Sequence, residues 1–396
     1  MAIKQQSTIK LRVNELVQYL IITITYLGLS LITVFNLISI KPALGELLDF
    51  GSFISAGKAA AEGMNPYRTD SPLVYHVESQ NTDQTVPSPN LNPPLSILFF
   101  KQLAGIDPLK AVSGWRITSV LLFGIGLLIL TKSYSEFTNP MRIIWVLSLA
   151  GFWNTIALGQ IYAPVFVLTI GVWLFVQKGY YKLGGIMLGA IIAIKPNFVF
   201  WLFLLGFAGY TTTMLSAMVT ILTLSVLPIL IFGSHIYQEW FTAVSNYPSI
   251  GLLIAGNSSL QSLTARFGSS TPGTVLSVLL VGVGLYFAYH NKYSLNKINA
   301  LGIVGSLLIS PFSWAGYTIL TLPIFFSRSQ WNWQYKLSAA MLSFPYLVIL
   351  YFFQKSFFNS VLFGWLYGWG LLLILVELVI PKDREPPGKL SENQNE

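Results

Sequence analysis

The chain has 396 residues, of which only 10% are charged and 54% are hydrophobic. An average soluble domain carries roughly 25% charged residues, so this composition excludes a soluble multidomain protein and indicates a polytopic membrane protein. The formal net charge of +8 comes from basic residues that fall singly or in pairs between apolar runs. That pattern is typical of loops on one membrane face, not of a nucleic-acid-binding patch. Cysteine is absent and only three histidines occur, so we expect no metal site.

Apolar runs along the chain predict about twelve membrane spans, because a spanning helix needs roughly 20 mainly apolar residues. Several runs are shorter and meet in pairs at a break, at Lys195-Pro196 and at Ser310-Pro311. Such breaks occur where neighbouring helices or a water-filled cavity satisfy the backbone. The predicted spans are residues 16–38, 112–131, 142–158, 160–177, 184–195, 197–209, 214–233, 273–289, 298–310, 314–326, 336–353 and 359–380.

Basic residues near the ends of these runs predict the orientation, since cytoplasmic loops carry an excess of Lys and Arg. Residues 93–108 follow two prolines and carry Lys101, and we interpret them as an interfacial or re-entrant helix. The predicted regions are a cytoplasmic N-terminus (1–15), a transmembrane domain (16–380) with extracytoplasmic loops at 39–111 and 234–272, and a disordered cytoplasmic tail (381–396).

The first extracytoplasmic loop contains a candidate general base, Asp49. It precedes a stretch of helical character from Ser52 to Glu62, which Gly63 ends. We expect an amphipathic helix on the outer interface with the carboxylate at its leading end. A carboxylate beside apolar neighbours is a stronger proton acceptor. The alternative interpretation is a solvated loop aspartate or an N-cap.

Three cations are candidates for binding a lipid phosphate. Lys195 lies in a strongly apolar stretch, where an ionisable group costs about 2.5–3.5 kcal/mol on insertion scales and a functional role is the default hypothesis. Arg266 and Arg116 are similar candidates. The alternatives are a snorkelling lysine and simple interfacial anchors.

Other polar and aromatic residues have two interpretations each. Gln160 is suited to hydrogen-bonding a sugar or to an ordinary interhelical bond. Trp314 and Tyr67 fit sugar stacking or the interfacial aromatic belt. Gly185 and Gly189 form a pair of small residues four apart, which we assign to helix packing.

Six short motifs carry a family resemblance. In chain order they are Asp49 with Gly63-Met64-Asn65-Pro66-Tyr67, Asn92-Pro93-Pro94-Leu95, Leu158-Gly159-Gln160, Gly185 and Gly189 with Ile194-Lys195-Pro196, Gly256-Asn257-Ser258-Ser259 leading to Arg266, and Ser310-Pro311-Phe312-Ser313-Trp314. In this order the chain resembles the polyprenyl-phosphate-mannose-dependent α-mannosyltransferases of the GT-C superfamily. That resemblance implies a GT-C-like bundle of about twelve helices, whose long first extracytoplasmic loop contains interfacial helices.

The resemblance also implies an activity. Asp49 would be the base in an inverting, metal-independent and cofactor-independent transfer of a sugar, mannose in that family, from a polyprenyl-phosphate carrier to a glycan or glycolipid acceptor. The site would face the outside of the inner membrane, with the bilayer but no nucleic acid as a further partner. The remaining implied roles are donor phosphate binding by Lys195, Arg266 and Arg116, and substrate binding by Tyr67, Asn65, Gln160, Asn257 and Trp314.

Two departures from the family pattern and two other classes of function remain open. Asn92 stands where the family has an aromatic residue, and Ala315-Gly316-Tyr317 stands where it often has His or an acid. The main alternative function is a multi-span transporter or lipid-linked glycan flippase, suggested by the number of spans and the broken helices. A glycan polymerase or ligase that uses diphosphate-linked donors is a third.

Overall fold

The computed structural model describes residues 2–68, 75–78, 85–135, 138–247, 250–291 and 293–380. Within these ranges the chain folds into twenty α-helices, three short 3-10 helices and one antiparallel hairpin. The hairpin pairs β1 (His76–Glu78) with β2 (Thr85–Pro87) in the first predicted outer loop. The predicted helical architecture is therefore confirmed, while the hairpin was not predicted. The predicted disordered tail, 381–396, falls outside the described residues.

The helices of the first half are α1 (Ala2–Ser39), α2 (Leu48–Ala61), α3 (Pro94–Gln102), α4 (Pro108–Ser133), α5 (Pro140–Ser148), α6 (Ala150–Leu158), α7 (Tyr162–Gln177), α8 (Tyr181–Ile194), α9 (Val199–Phe207) and α10 (Thr211–Phe232). Those of the second half are α11 (His235–Ser245), α12 (Ile250–Leu253), α13 (Leu260–Ala265), α14 (Thr271–His290), α15 (Leu295–Ile309), α16 (Leu322–Phe326), α17 (Trp333–Leu342), α18 (Tyr346–Phe353), α19 (Phe357–Leu362) and α20 (Leu366–Val379). The 3-10 helices are Pro42–Gly45, Pro196–Phe198 and Ala315–Thr321.

Four of the described helical segments are long and apolar enough to cross a membrane, and six are if each bent helix pair counts as one span. The four are Leu20–Ala61, Pro108–Ser133, Thr211–Phe232 and Thr271–His290. Six further apolar helices of 10–17 residues are shorter than a membrane span. The chain is thus a multi-pass membrane protein by length and composition, and the count of about twelve spans stays a prediction.

Two of the predicted spans are not continuous helices. The predicted span 142–158 consists of α5 and α6, bent by 43°, and the predicted span 336–353 consists of α17 and α18, bent by 83°. At the first break Leu149 has extended backbone angles. At the second, Pro345 precedes α18, and proline disfavours helical backbone at the residue before it.

Helices α8 and α10 pack closely through two glycines. A Cβ atom on Gly185 would lie 2.4 Å from the backbone oxygen of Thr213, and one on Gly189 would lie 2.6 Å from that of Ala217. Any larger side chain must therefore push the two helices apart. The assignment of this glycine pair to helix packing is confirmed.

We expect Gly189→Leu to lower the free energy of unfolding by about 1–3 kcal/mol, the usual range for overpacking a tight contact. The control is Gly282→Leu on α14, because a Cβ on Gly282 meets no atom within 4 Å. Thermal unfolding of the purified variants in detergent measures the difference. Equal unfolding temperatures for the two variants would contradict this account of the α8–α10 contact.

A small apolar cluster holds α2 and α3 together. The rings of Phe50 and Phe53 on α2 lie 5.7 and 5.2 Å from the ring of Phe100 on α3. Phe50 is fully buried, which explains why α2 begins at Leu48 and not at Ser52 as predicted. Asp49 consequently lies inside the first helical turn, a position in which the helix dipole favours a negative charge.

Candidate active site

A cavity of about 550 Å³ lies between the segment 91–93, α7, α9, α11, α14 and the segment 309–317. Its lining is mostly apolar, with a polar end formed by Gln160, Lys195 and Asn197. Two of the apolar lining residues, Val199 and Phe203, are 41% and 42% exposed. The cavity therefore opens sideways on the outer surface of the helical bundle, which faces lipid in a membrane protein.

Asp49 is joined to the polar end of this cavity through Gln160. The Nε2 atom of Gln160 donates a hydrogen bond to Oδ2 of Asp49, and Asp49 itself is half-buried. Gln160 follows Gly159, which ends α6 in the left-handed region with φ 67°. A Cβ on Gly159 would lie 2.8 Å from Cβ of Phe50, so the glycine allows the turn that carries Gln160 to approach α2.

Lys195 faces the same polar end from the break between α8 and the 3-10 helix Pro196–Phe198. Its Nζ donates a 2.7 Å hydrogen bond to Oδ1 of Asn92. The same atom lies 5.1 and 5.5 Å from the ring centroids of Tyr162 and Tyr317, within the range of cation–π attraction. Lys195 and the Asp49 carboxylate interact electrostatically. The structure thus places Lys195 on the cavity lining, and it joins Asp49 to the lining residue Gln160 by a hydrogen bond.

Several tyrosines from distant parts of the chain interact electrostatically with Asp49. Burial raises the pKa of Tyr247, and the nearby Asp49 carboxylate raises it further. Burial also raises the pKa of Tyr75, to which Asp49 adds a smaller contribution. Tyr162 and Tyr346 interact electrostatically with the same carboxylate. Neutral phenols of this kind are hydrogen-bond donors and acceptors for hydroxyl-rich ligands.

The structure does not bring Arg116 to the cavity. It is 6% exposed, and its guanidinium donates hydrogen bonds to five main-chain carbonyl oxygens in the segments 43–46 and 156–157. These bonds occupy the donors that binding a donor phosphate would require.

Arg266 and Asn257 also lie away from the cavity. The Arg266 guanidinium donates to the carbonyl oxygens of Ile254 and Gly364, each at 3.1 Å. Burial lowers the pKa of Arg266 to about 10, so it stays charged at neutral pH. Asn257 is fully buried, and its side chain donates to the Pro311 carbonyl and accepts from the Ser313 amide. Both residues tie the segment 254–266 to its neighbours.

Asn65 and Tyr67 are connected to the site by hydrogen bonds through Asn92. The Asn65 side chain accepts a 2.8 Å hydrogen bond from the Tyr67 amide. The Tyr67 hydroxyl then donates a 2.8 Å hydrogen bond to the carbonyl oxygen of Asn92, the residue whose side chain meets Lys195. Trp314, in contrast, lines the cavity, where its ring stacks on Phe312 at 6.0 Å.

Sequence reasoning missed several residues at the polar end. Asn197 lines the cavity, and its Nδ2 is buried without a hydrogen-bond partner among the described residues. Its only sequence signal is its position two residues after Lys195. Asn92 and Tyr317 were noted as departures from the family pattern, yet both contact Lys195. No group of three or more His, Asp or Glu side chains that could hold a metal ion occurs among the described residues.

The fold is that of a multi-pass membrane protein by length and composition, and comparison with known families gives its class. The sequence model of glycosyltransferase family 87 matches residues 90–311, more than half of the chain. The chain therefore belongs to glycosyltransferase family 87, which indicates a membrane glycosyltransferase. No curated protein and no solved structure matches it.

The family match covers only part of the candidate site. The cavity residues Gln160 and Lys195 lie within the matched range, whereas Asp49 and Trp314 lie outside it. Family membership favours a transferase over the transporter alternative. The finer resemblance to mannosyltransferases that use polyprenyl-phosphate-mannose stays a prediction.

Proposed function

We propose that the chain transfers a sugar, mannose by resemblance, from a polyprenyl-phosphate carrier to a hydroxyl of a glycan or glycolipid acceptor. The observation that carries this proposal is that Gln160, which donates a hydrogen bond to the Asp49 carboxylate, and Lys195 line the same cavity. A carrier with a long apolar chain and a charged head suits this cavity, because its lining is mostly apolar but includes Lys195.

The transfer is an inverting displacement at the anomeric carbon of the donor sugar. The acceptor oxygen forms a bond to that carbon while the bond from the carbon to the phosphate oxygen breaks. Asp49 takes the proton from the acceptor hydroxyl as general base. The leaving group is the polyprenyl phosphate, and Lys195 stabilises the negative charge that grows on it.

Gln160 orients the base in this mechanism. Its Nε2 donor fixes one oxygen of the Asp49 carboxylate, which leaves the other oxygen for the acceptor hydroxyl. Its own Oε1 is buried without a hydrogen-bond partner among the described residues, and we propose that it accepts one from the acceptor or the sugar. Catalytic geometry of this kind depends on positions held to within about 0.5 Å.

We place this site on the extracytoplasmic side of a bundle of about twelve spans in the inner membrane. Lys195 follows the C-terminal end of α8, whereas Lys182 lies in the first turn of α8 and Lys178 just before it. The excess of basic residues on cytoplasmic loops puts that first turn inside. Lys195 then lies toward the outer face, where lipid-linked sugars replace nucleotide sugars as donors.

The apolar lining of the cavity, to which Val281 belongs, provides a test of the lipid donor. We expect Val281→Trp to raise the KM for a long-chain polyprenyl-phosphate-mannose by about tenfold, because one well-packed apolar group in a pocket contributes roughly 1–3 kcal/mol to discrimination. Activity toward a short-chain analogue of about ten carbons should stay unchanged, because we propose that a chain of this length ends before Val281. Reconstituted vesicles and labelled donors of both lengths measure the two KM values.

Val278→Trp is the matched control, because Val278 lies on the same helix and is 65% exposed. Retained activity with the short donor shows that Val281→Trp folds. Equal effects of Val281→Trp on both donors, or none on either, would contradict the placement of the carrier lipid. A panel of other labelled polyprenyl-phosphate sugars identifies the sugar, and products with many added units would favour a polymerase.

A further inference from the structure

Arg116 makes an unusually complete set of hydrogen bonds for a buried arginine. Its Nε and both terminal nitrogens donate to five carbonyl oxygens at distances of 2.8–3.0 Å. The acceptors belong to Ala43, Leu44, Glu46, Ile156 and Ala157. The charge of Arg116 is thus compensated by main-chain dipoles at the ends of two helical segments, which favour a cation there.

The candidate base, Asp49, and its hydrogen-bond partner, Gln160, each follow one of these two segments. Asp49 follows the Glu46 carbonyl by three residues, and Gln160 follows the Ala157 carbonyl by three residues. One guanidinium therefore fixes the distance between the start of α2 and the end of α6. The neighbouring Trp115 adds to this connection, since its Nε1 donates a 3.2 Å hydrogen bond to the carbonyl oxygen of Gln160.

Backbone strain beside Asp49 indicates that this region is held in place by its surroundings. Leu48 has φ 44°, and it is the only residue other than glycine with a positive φ among the described residues. The left-handed region is unfavourable for a residue with a side chain. Such strain persists only where neighbouring contacts determine the conformation, and the Arg116 bonds to residues 43–46 lie directly before Leu48.

We propose that Arg116 is a positioning residue that sets the geometry of Asp49 and Gln160, and that it does not bind the donor phosphate. The proposal rests on the proposed function, in which Asp49 is the base. Arginine is required because its planar fork presents five N–H donors in fixed directions, whereas lysine has three donors at a single point. A lysine at this position keeps the charge and cannot reach both segments.

The test compares Arg116→Lys with Arg142→Lys in vesicles supplied with labelled polyprenyl-phosphate-mannose and a membrane lipid extract as acceptor. Arg142 is a matched control, because it is equally buried and donates to the carbonyls of Arg328 and Ser329, far from the site. Per folded enzyme, we expect Arg116→Lys to lower kcat about 100-fold, the loss associated with a misplacement of about 1 Å. Donor KM should stay unchanged, and Arg142→Lys should keep the full kcat.

Two outcomes would overturn the positioning role. An increase in donor KM at unchanged kcat would identify Arg116 as a phosphate ligand. Unchanged kcat and KM per folded enzyme would make Arg116 a purely structural residue. An Asp49→Asn variant is measured beside these, because full activity of that variant removes the proposed function itself, whereas an inactive Asp49→Asn with a fully active Arg116→Lys removes only the role of Arg116.

A double substitution tests whether Arg116 acts through Gln160. If Arg116 keeps Gln160 against Asp49, then Arg116→Lys should cause little further loss in a Gln160→Ala background, since residues that share one interaction are not additive. Multiplication of the two single losses would show that they act independently and would contradict the proposal.

Discussion

Asp49→Asn is expected to lower the rate of sugar transfer about 1,000-fold, within the range of roughly 10²–10⁴ that a positioned general base contributes. The amide keeps the size of the side chain but cannot accept the proton of the acceptor hydroxyl. Donor KM should change little, because we assign the donor phosphate to Lys195 and not to Asp49. Initial rates with labelled donor, normalised to the amount of folded protein, measure the loss.

Glu62→Gln is the matched control for Asp49→Asn. Glu62 is the C-terminal cap of the same helix and is exposed, so removing its charge should leave the rate unchanged. Asp49→Glu should retain a small part of the activity, because it keeps a base but displaces it by one methylene. Full activity of Asp49→Asn would show that the proton goes to another group.

Gln160 and Lys195 could be predicted as candidate site residues because each stands beside a residue with a readable structural role. Gly159 ends a helix in the left-handed region, and Pro196 interrupts the helical backbone at Lys195. Turns and broken helices expose polar side chains where apolar helices cannot. The hydrogen bond between Gln160 and Asp49 could not be predicted, because 111 residues separate them and no local pattern records which helices meet.

The arginines show a different limit of sequence reasoning. A buried guanidinium must be compensated, and the apolar surroundings of Arg116 and Arg266 predict this much. The compensating group, however, is either a ligand phosphate or a main-chain carbonyl. The sequence around the arginine does not distinguish these two cases. In the structure both guanidiniums donate hydrogen bonds to main-chain carbonyls. Of the three predicted cations, Lys195 is the one that lines the cavity.

The two departures from the mannosyltransferase pattern, at Asn92 and at Tyr317, both lie beside Lys195. Asn92 accepts the hydrogen bond from Nζ, and the Tyr317 ring lies 5.5 Å from the same atom. Both positions therefore help to orient the cation that we assign to the donor phosphate. In the sequence these are two separate departures from the pattern that the chain resembles, and only the folded arrangement shows that both lie beside one cation.

Lys195→Met is expected to cause a second large loss, of about 100–1,000-fold in kcat, which is the usual effect of removing one preorganised group that stabilises developing charge. Methionine replaces the length and apolar part of the side chain. Donor KM should also rise, because we propose that the ammonium binds the phosphate before the reaction as well as during it. This rise distinguishes Lys195 from Asp49 in the same assay.

Lys101→Met is the matched control, since Lys101 also lies beside an aromatic ring, 5.5 Å from the centroid of Phe232, but not on the cavity. Its loss should leave both constants unchanged. Lys195→Arg should recover part of kcat, because the guanidinium restores a positive charge but not the compact point charge that fits between two tyrosine rings and Asn92. If Lys195→Met keeps its full rate while Asp49→Asn is inactive, the base assignment stands and another cation must take the leaving phosphate.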